Sequence, residues 1–282
     1  CINVQEDHLG LRGIDTLEQL AEVKRIVVEV AKDSVVLNAD DPHCLKMADH
    51  TKAKHICYVT MNTGHSLVRE HIRAGGRAVV LEKGINGDMI TIFDNGTHIP
   101  LLWTHLIPAT LEGKALHNVQ NAMFAAGLAY CLGKPLDSIQ QGLRTFTTTF
   151  YQAPGRMNVF DEHNFRVILD YAHNADGVRC MSELASKLEV NGKRITVLAG
   201  PGDRRDEDIA NIAKAAAGHF DIYICKADDN RRGRGVDEVP QMLAAALKAE
   251  GIKDSQIYCI SDEVEAIEKG LELASADDLL MV

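Results

Sequence analysis

Apolar and polar positions along this chain recur with two alternating periods. Leu17, Leu20, Ala21, Val27, Val28 and Ala31 follow the three-to-four spacing of one helix face, predicting a helix capped by Asp15 or Thr16 and running to about Ala31. "SVVLNADD" is a short apolar run closed by a turn and "HICYV" is a second, so both read as strands, while "SLVREHIRAG" reads as a helix stopped by Gly75-Gly76. Ahead of them, Ile2 and Val4 alternate with polar neighbours as in a half-buried strand that ends at Asp7-His8. A chain that opens inside a strand is expected to have lost a preceding segment.

The pattern then changes. "RAVVLEKGINGDMITIFDNGTHIPLLW" divides into three short strands at Gly and Asn-Gly turns, an antiparallel excursion, and "ALHNVQNAMFAAGLAYCLG" and "LDSIQQGLRTF" are helical. Pro154-Gly155 breaks the chain. Beyond it "RMNVF", "FRVILDY", "KRITVLAG", "DIYICKA", "QIYCI" and "DLLMV" alternate with helical patterns near 175–189, 206–217, 236–250 and 262–274, the signature of a doubly wound α/β domain. Two domains are therefore expected, 1–152 and 153–282. The last strand stops at Val282, so a continuation beyond it is expected as well.

Composition narrows the classes. The 282 residues are 46% apolar, as a globular protein requires, and 40 acidic against 30 basic residues give a net charge of −10, which opposes attraction to nucleic acid or anionic membrane. No apolar run approaches the ~20 residues of a membrane helix and no signal peptide pattern appears, so the expected location is the cytoplasm. Seven cysteines never form a Cys-x-x-Cys pair, and most lie in apolar runs such as "HICYV", "IYICK" and "QIYCI"; buried free thiols are expected rather than a zinc site or a disulfide framework.

The phosphate-loop pattern G-x-x-x-x-G-K-[ST] is absent, and "GPGDRR" fails the dinucleotide fingerprint because Arg205 holds its third glycine position. What remains is a set of polar clusters at strand ends, where open α/β sheets place ligands. His8 at a strand end suits either a hydrogen bond or a divalent cation bridging phosphates. Lys24 lies on the apolar stripe, either snorkelling its amine to water or desolvated enough to react with carbon dioxide. His117 and Asn121 share one face at the start of a helix, where Asn is either a cap or a partner for the N6 and N7 edge of adenine. Arg156 follows the Pro154-Gly155 break, fit for a salt bridge or a γ-phosphate. Asp170 ends a strand with room for ribose hydroxyls, and His173 stands just beyond. Gly200 and Gly202 serve a tight turn more readily than an anion site.

Taken in order, "INVQEDHLG", Lys24, "VVLNADDP", "HNVQNAMFAA", "PGRMNVF" and "VILDYAHNADGV" resemble the Mur ligases, the ATP-dependent amide ligases that include folylpolyglutamate synthetase. "GLRGIDTLEQLAEVK", "VREHIRAGGRAVVLEKG", "AGPGDRRDEDI" and "DDNRRGRG" resemble, more narrowly, the C-terminal arginine-adding ligase region of the cyanophycin synthetases.

The resemblance spans nearly the whole chain. It implies a central ATPase-type domain lacking its phosphate-loop part, followed by a Rossmann-like C-terminal domain. It also implies a reaction in which a carboxylate takes the γ-phosphoryl of ATP and an amine then displaces phosphate.

By the same resemblance the cofactors are ATP and Mg2+, and His8 and Lys24 serve the metal, Lys24 as the carbamate found in several Mur ligases. Asn118, Asn121, Arg156 and Asp170 hold the nucleotide, and Lys24, Arg156 and His173 are catalytic. Asp203 and Arg204 match a motif that orders the closed site.

The segment Asp228, Asp229, Asn230 and Arg232 stands where the family contacts the incoming amino acid, with Arg231 at the family's proline position. The partners implied are L-arginine and a poly-aspartate (cyanophycin) chain, within a homo-oligomer, and the 282 residues alone are expected to be inactive. A muropeptide or folate ligase, a noncatalytic oligomerisation or docking module, and an oxidoreductase disfavoured by the failed glycine fingerprint stand as alternatives.

Overall fold

Thr16 begins the first helix by a reciprocal cap: its hydroxyl accepts the Gln19 N–H while the Gln19 side chain accepts the Thr16 N–H, and α1 runs Leu17–Glu29. The computed structural model describes residues 1–282. Backbone contacts divide the chain into two units, Cys1–Gln5 with Ile14–Thr147, and Glu6–Gly13 with Thr148–Val282.

In the first unit β1 (Ser34–Asn38), α2 (Pro42–Lys46), β2 (His55–Thr60), α3 (Ser66–Arg73), β3 (Arg77–Gly84), β4 (Gly87–Asp94), β5 (Thr97–Trp103), α4 (Leu116–Cys131) and α5 (Leu136–Thr145) follow α1. The five-stranded sheet is ordered β1-β2-β3-β4-β5. The first three strands are parallel, and β4 and β5 are added antiparallel. Asn95-Gly96, both at positive φ, closes the β4–β5 hairpin. The core packs Val36, Cys57, Val79 and Ile90 with Val119, Met123 and Phe124 of α4. A side chain at Gly127 would meet Val79 at 3.2 Å and Val36 at 3.4 Å, so glycine there lets α4 approach the sheet.

Two expectations change here. Cys1–Gln5 runs beside β1 but forms no strand. Only the amine of Cys1 to Val36 O (2.6 Å) and Asn38 N–H to Cys1 O (3.1 Å) join it to the β1 backbone. Side chains then take the ladder's place: Asn38 Nδ2 donates to Ile2 O (2.7 Å) and Asp41 Oδ2 accepts the Val4 N–H (2.8 Å). The stripe on α1 also rotates, for Leu20 and Val28 are buried while Val27 is 72% exposed together with Val23, Ile26 and Val30.

In the second unit β6 (Asn158–Phe160), β7 (Arg166–Leu169), α6 (Ala175–Lys187), β8 (Arg194–Leu198), α7 (Asp206–Ala216), β9 (Ile222–Cys225), α8 (Glu238–Ala249), β10 (Ile257–Cys259), α9 (Glu263–Leu273) and β11 (Leu279–Met281) alternate as expected. The six-stranded sheet is ordered β10-β9-β8-β11-β7-β6, and only β6 is antiparallel to its neighbour. The last strand thus lies inside the sheet, between β7 and β8. As an edge strand, β10 leaves Cys259 exposed, contrary to the buried thiol its apolar run predicts.

Candidate functional site

In the second unit the carboxyl ends of β7, β8 and β9 carry most of the predicted polar residues, the position from which parallel sheets present ligands. Arg204, in the loop after β8, is 6% exposed and spans two carboxylates. Its Nη2 donates to Asp7 Oδ1 at 3.0 Å and its Nη1 to Asp203 Oδ1 at 2.9 Å. Arg232, in the loop after β9, donates from Nη1 to Asp203 Oδ2 at 2.7 Å. On the other side His173 Nε2 lies 3.5 Å from Asp7 Oδ2, while its Nδ1 is 2.9 Å from Tyr171 O. His173, Asp7, Arg204, Asp203 and Arg232 therefore form one continuous chain of alternating charge.

Those contacts set the protonation states. Burial alone would raise the Asp7 carboxyl, but the hydrogen bond from His173 and the charges of His8, His173 and Arg204 outweigh it and hold the group at about 2. The Asp7 hydrogen bond raises His173 against the opposing effect of burial, and the Tyr171 carbonyl at the other ring nitrogen adds to the rise. Acceptors at both nitrogens favour the imidazolium.

The loops are held by backbone fit. A Cβ at Gly202 would fall 2.1 Å from Arg231 O, so this glycine is required by close approach of the β9 loop rather than by a positive φ. Arg234, which no local sequence pattern singles out, clasps the same junction by donating to Gly202 O (2.8 Å), Arg204 O (2.7 Å) and Asp206 (2.8 Å). Asp228 and Asn230 accept the N–H groups of Asn230 and Arg232, at 3.1 and 3.3 Å, and Asp229 is exposed.

Asn158 is a second residue missed in the sequence. It is 1% exposed, and it accepts the Gly155 N–H at 2.7 Å while donating to Thr148 O (2.7 Å) and Ala153 O (2.8 Å). It fixes the Pro154-Gly155 loop and leaves Arg156 exposed, its guanidinium 5.2 Å from the centre of the Tyr171 ring. Asp170 accepts the Met157 N–H at 2.8 Å; burial raises this carboxyl, with the Met157 bond and the Arg156 charge opposing.

In the first unit Asn118 and Asn121 stand at the start of α4, with Asn121 Nδ2 donating to Asn118 Oδ1 at 3.1 Å and Asn118 Nδ2 to Ala109 O at 2.8 Å. Both line a cavity of about 450 Å³ whose other walls, Ala122, Ala125, Ile139 and Phe146 among them, are apolar except at Ser138. A flat heteroaromatic ring with a hydrogen-bonding edge matches that lining. Lys24 is half-buried between Leu20 and Val28 and donates to Asn3 O at 3.2 Å.

Magnesium fits these residues poorly by themselves. No three His, Cys, Asp or Glu side chains converge to hold a metal. His8 Nδ1 is 3.1 Å from the guanidinium of Arg204, and Lys24 as an amine offers no oxygen. A magnesium ion would have to take most of its ligands from nucleotide phosphates and water.

The chain matches two family descriptions, Mur ligase middle domain over residues 1–129 and Mur ligase, glutamate ligase domain over residues 155–282. Cyanophycin synthetase of Trichormus variabilis is 40% identical over 291 residues, covering 100% of this chain and 31% of that protein. A UDP-N-acetylmuramoyl-L-alanyl-D-glutamate–2,6-diaminopimelate ligase of Caldanaerobacter subterraneus is 27% identical over 285 residues, covering 99% of this chain and 52% of that one.

Among solved structures, Escherichia coli FolC in complex with ADP shares the fold with a TM-score of 0.67 at 18% identity, over 100% of this chain and 57% of its own. MurF of Acinetobacter baumannii gives 0.64 at 16% identity, over 99% and 54%. The chain spans about a third of the length of the cyanophycin synthetases it matches. No helix is long and apolar enough to cross a membrane.

Proposed function

This chain belongs to the Mur ligase family, and from that membership we propose that it is an ATP-dependent amide ligase module that joins L-arginine to the side-chain carboxylate of aspartate in a poly-aspartate chain. The observation that carries the reading is the 38–40% identity, over the whole chain, to five cyanophycin synthetases. In the proposed reaction an aspartate carboxylate oxygen attacks the γ-phosphorus of ATP and ADP leaves. The arginine amine then attacks the acyl carbon, inorganic phosphate leaves, and the amine's surplus proton passes to solvent or a base.

The predicted residues other than Asn230, whose side chain accepts the Arg232 N–H within its own loop, each have a part in this proposal. Asn118 and Asn121 hold adenine in the cavity they line, and Asp170 takes ribose. Arg156 and His173 supply positive charge to the transferring phosphoryl group. His8 and a carbamylated Lys24 meet the magnesium that ATP brings. Arg232, oriented by Asp203, holds the α-carboxylate of arginine, and Asp228 and Asp229 receive its guanidinium. Phosphoryl transfer also needs a cradle of backbone amides and a lysine, so the 282 residues alone are expected to bind ATP weakly and not turn it over. The location proposed is the cytoplasm and the working state a homo-oligomer.

The test is phosphate release by the complete polypeptide containing this chain, given ATP, magnesium, arginine and a poly-aspartyl primer. Release that requires both arginine and primer is expected. A muropeptide ligase is the second reading, favoured by 26–27% identity to diaminopimelate-adding ligases over 99% of the chain. Release with diaminopimelate and a muropeptide, and none with arginine, would establish it instead. No release with any acceptor, from a folded and assembled protein, would leave the noncatalytic reading.

A further inference from the structure

Cys225 and Cys259 are direct partners in the parallel register of β9 and β10. Neighbouring strands lie ~4.8 Å apart and paired residues face the same side of the sheet, a separation within the 4.4–6.8 Å that a disulfide spans between Cα atoms. The ladder continues past them, with Ile260 N–H donating to Cys225 O at 3.0 Å and Ala227 N–H to Ser261 O at 3.2 Å, so the two strand ends are fixed side by side. Their exposure is opposite. Cys225 is fully buried, whereas Cys259 is exposed on the edge strand.

We propose that Cys225 and Cys259 form an oxidisable dithiol, a site at which peroxide generates an intramolecular disulfide. The Cys259 thiolate attacks one peroxide oxygen, breaking the O–O bond and releasing water once the leaving oxygen is protonated; Cys259 becomes a sulfenic acid. The Cys225 sulfur then displaces that hydroxyl as a second water, and its own thiol proton is given up. Two thiols and one hydrogen peroxide thus become one disulfide and two waters.

The electrostatics agree with this division of labour. The Cys225 hydrogen bond, with the Lys248 charge from α8, brings the Cys259 thiol down to about 7 against the opposing effects of burial and of Asp237, which precedes α8; Cys225 is pushed upward by its bond to Cys259 and by burial. The disulfide would tie the strand end from which the Asp228–Arg232 loop departs.

The experiment is peptide mapping of the intact 282-residue chain after limited hydrogen peroxide at pH 7, with remaining thiols alkylated. A cross-linked Cys225–Cys259 peptide is expected, lacking two hydrogen atoms and reversed by dithiothreitol. Cys259 should be consumed at least about tenfold faster than Cys180, a thiol that burial pushes up to about 11. In Cys225→Ala the exposed thiol should stop at a sulfenic acid that dimedone captures, and Cys259→Ser should abolish the cross-link. The wild-type map is decisive even if the Cys225 variant does not fold. Loss of Cys259 no faster than Cys180, or a cross-link joining two molecules through Cys259, overturns the proposal.

Discussion

Arg204 Nη2 donates to Asp7 Oδ1 at 3.0 Å although 197 positions of sequence separate them. The bond joins the short Glu6–Gly13 segment to the loop after β8 within one unit. With Arg204 almost fully buried, its removal leaves two carboxylates facing each other without their common cation. Breaking a buried pair costs ~3–5 kcal/mol, and the partial exposure of Asp7 and Asp203 places Arg204→Ala at about 2–3 kcal/mol. Arg204→Lys should recover less than half, since a point charge cannot bridge both carboxylates as a planar fork does. Urea unfolding midpoints measure both, and a loss below ~0.5 kcal/mol for the alanine variant would show the network to be energetically idle.

Asp7 and His173 predict a two-sided pH dependence. The Asp7 carboxyl is held at about 2, below its ordinary 3.8, so its contribution is present above about pH 4 and is lost as pH falls toward 2. His173 is raised above 6.5, so its contribution is present below that value and fades as pH rises through the folded pKa. Thermal midpoints should therefore be supported most between about pH 4 and 6.5. In His173→Gln the alkaline decline should flatten while the acid decline persists; in Asp7→Asn both should flatten. Identical profiles for wild type and Asp7→Asn would refute the assignment.

Much of this architecture is legible from periodicity, because helices and strands of ten and five residues repeat their apolar spacing often enough to be read. The five-residue α2 is not, being made by its cap: Asp41 accepts the His43 and Cys44 N–H groups, with Pro42 at the first position. Strand order is hidden too, since nothing local in "DLLMV" says that it inserts between β7 and β8. Among the site residues, His173 and Arg232 are recognisable as polar groups beyond strand ends, whereas His8 follows a segment that forms no strand, and the carboxylates joined through Arg204 come from segments remote in sequence. Asn158 reads as an ordinary strand polar residue until its amide is seen filling three backbone partners. Val27 misleads because α1 has apolar residues on more than one face.

Asn158 and Arg156 should separate structure from chemistry. Asn158→Ala removes bonds to Thr148 O, Ala153 O and the Gly155 N–H and should cost ~2–3 kcal/mol of stability, most of it from stranding buried backbone groups. Arg156→Ala removes an exposed side chain and should leave the melting temperature nearly unchanged. In the complete enzyme, however, if Arg156 acts on the transferring phosphoryl group as proposed, loss of its positive charge should lower kcat by roughly 100-fold with little change in KM for ATP. A change confined to KM would assign Arg156 to ground-state binding.

The loop after β9 gives the last prediction. Arg232 sits at φ 50 and is pinned through Nη1 to Asp203, so it presents a fixed guanidinium edge, while Asp229 faces solvent and Asp228 spends one oxygen on the Asn230 N–H. If the two carboxylates receive the incoming guanidinium, Asp229→Asn should raise KM for arginine more than KM for lysine, because only a guanidinium offers the planar fork that a carboxylate matches. Asp228→Asn should do the same with an added penalty from the loosened turn. Asp203→Asn frees Arg232 and should weaken all α-amino acids alike, which distinguishes the carboxylate-holding role from side-chain selection. Both amino acids are compared by steady-state kinetics on the complete enzyme with a poly-aspartyl primer. A preference that moves by less than about 3-fold in both aspartate variants, equivalent to ~0.7 kcal/mol, would mean that the arginine side chain is read elsewhere.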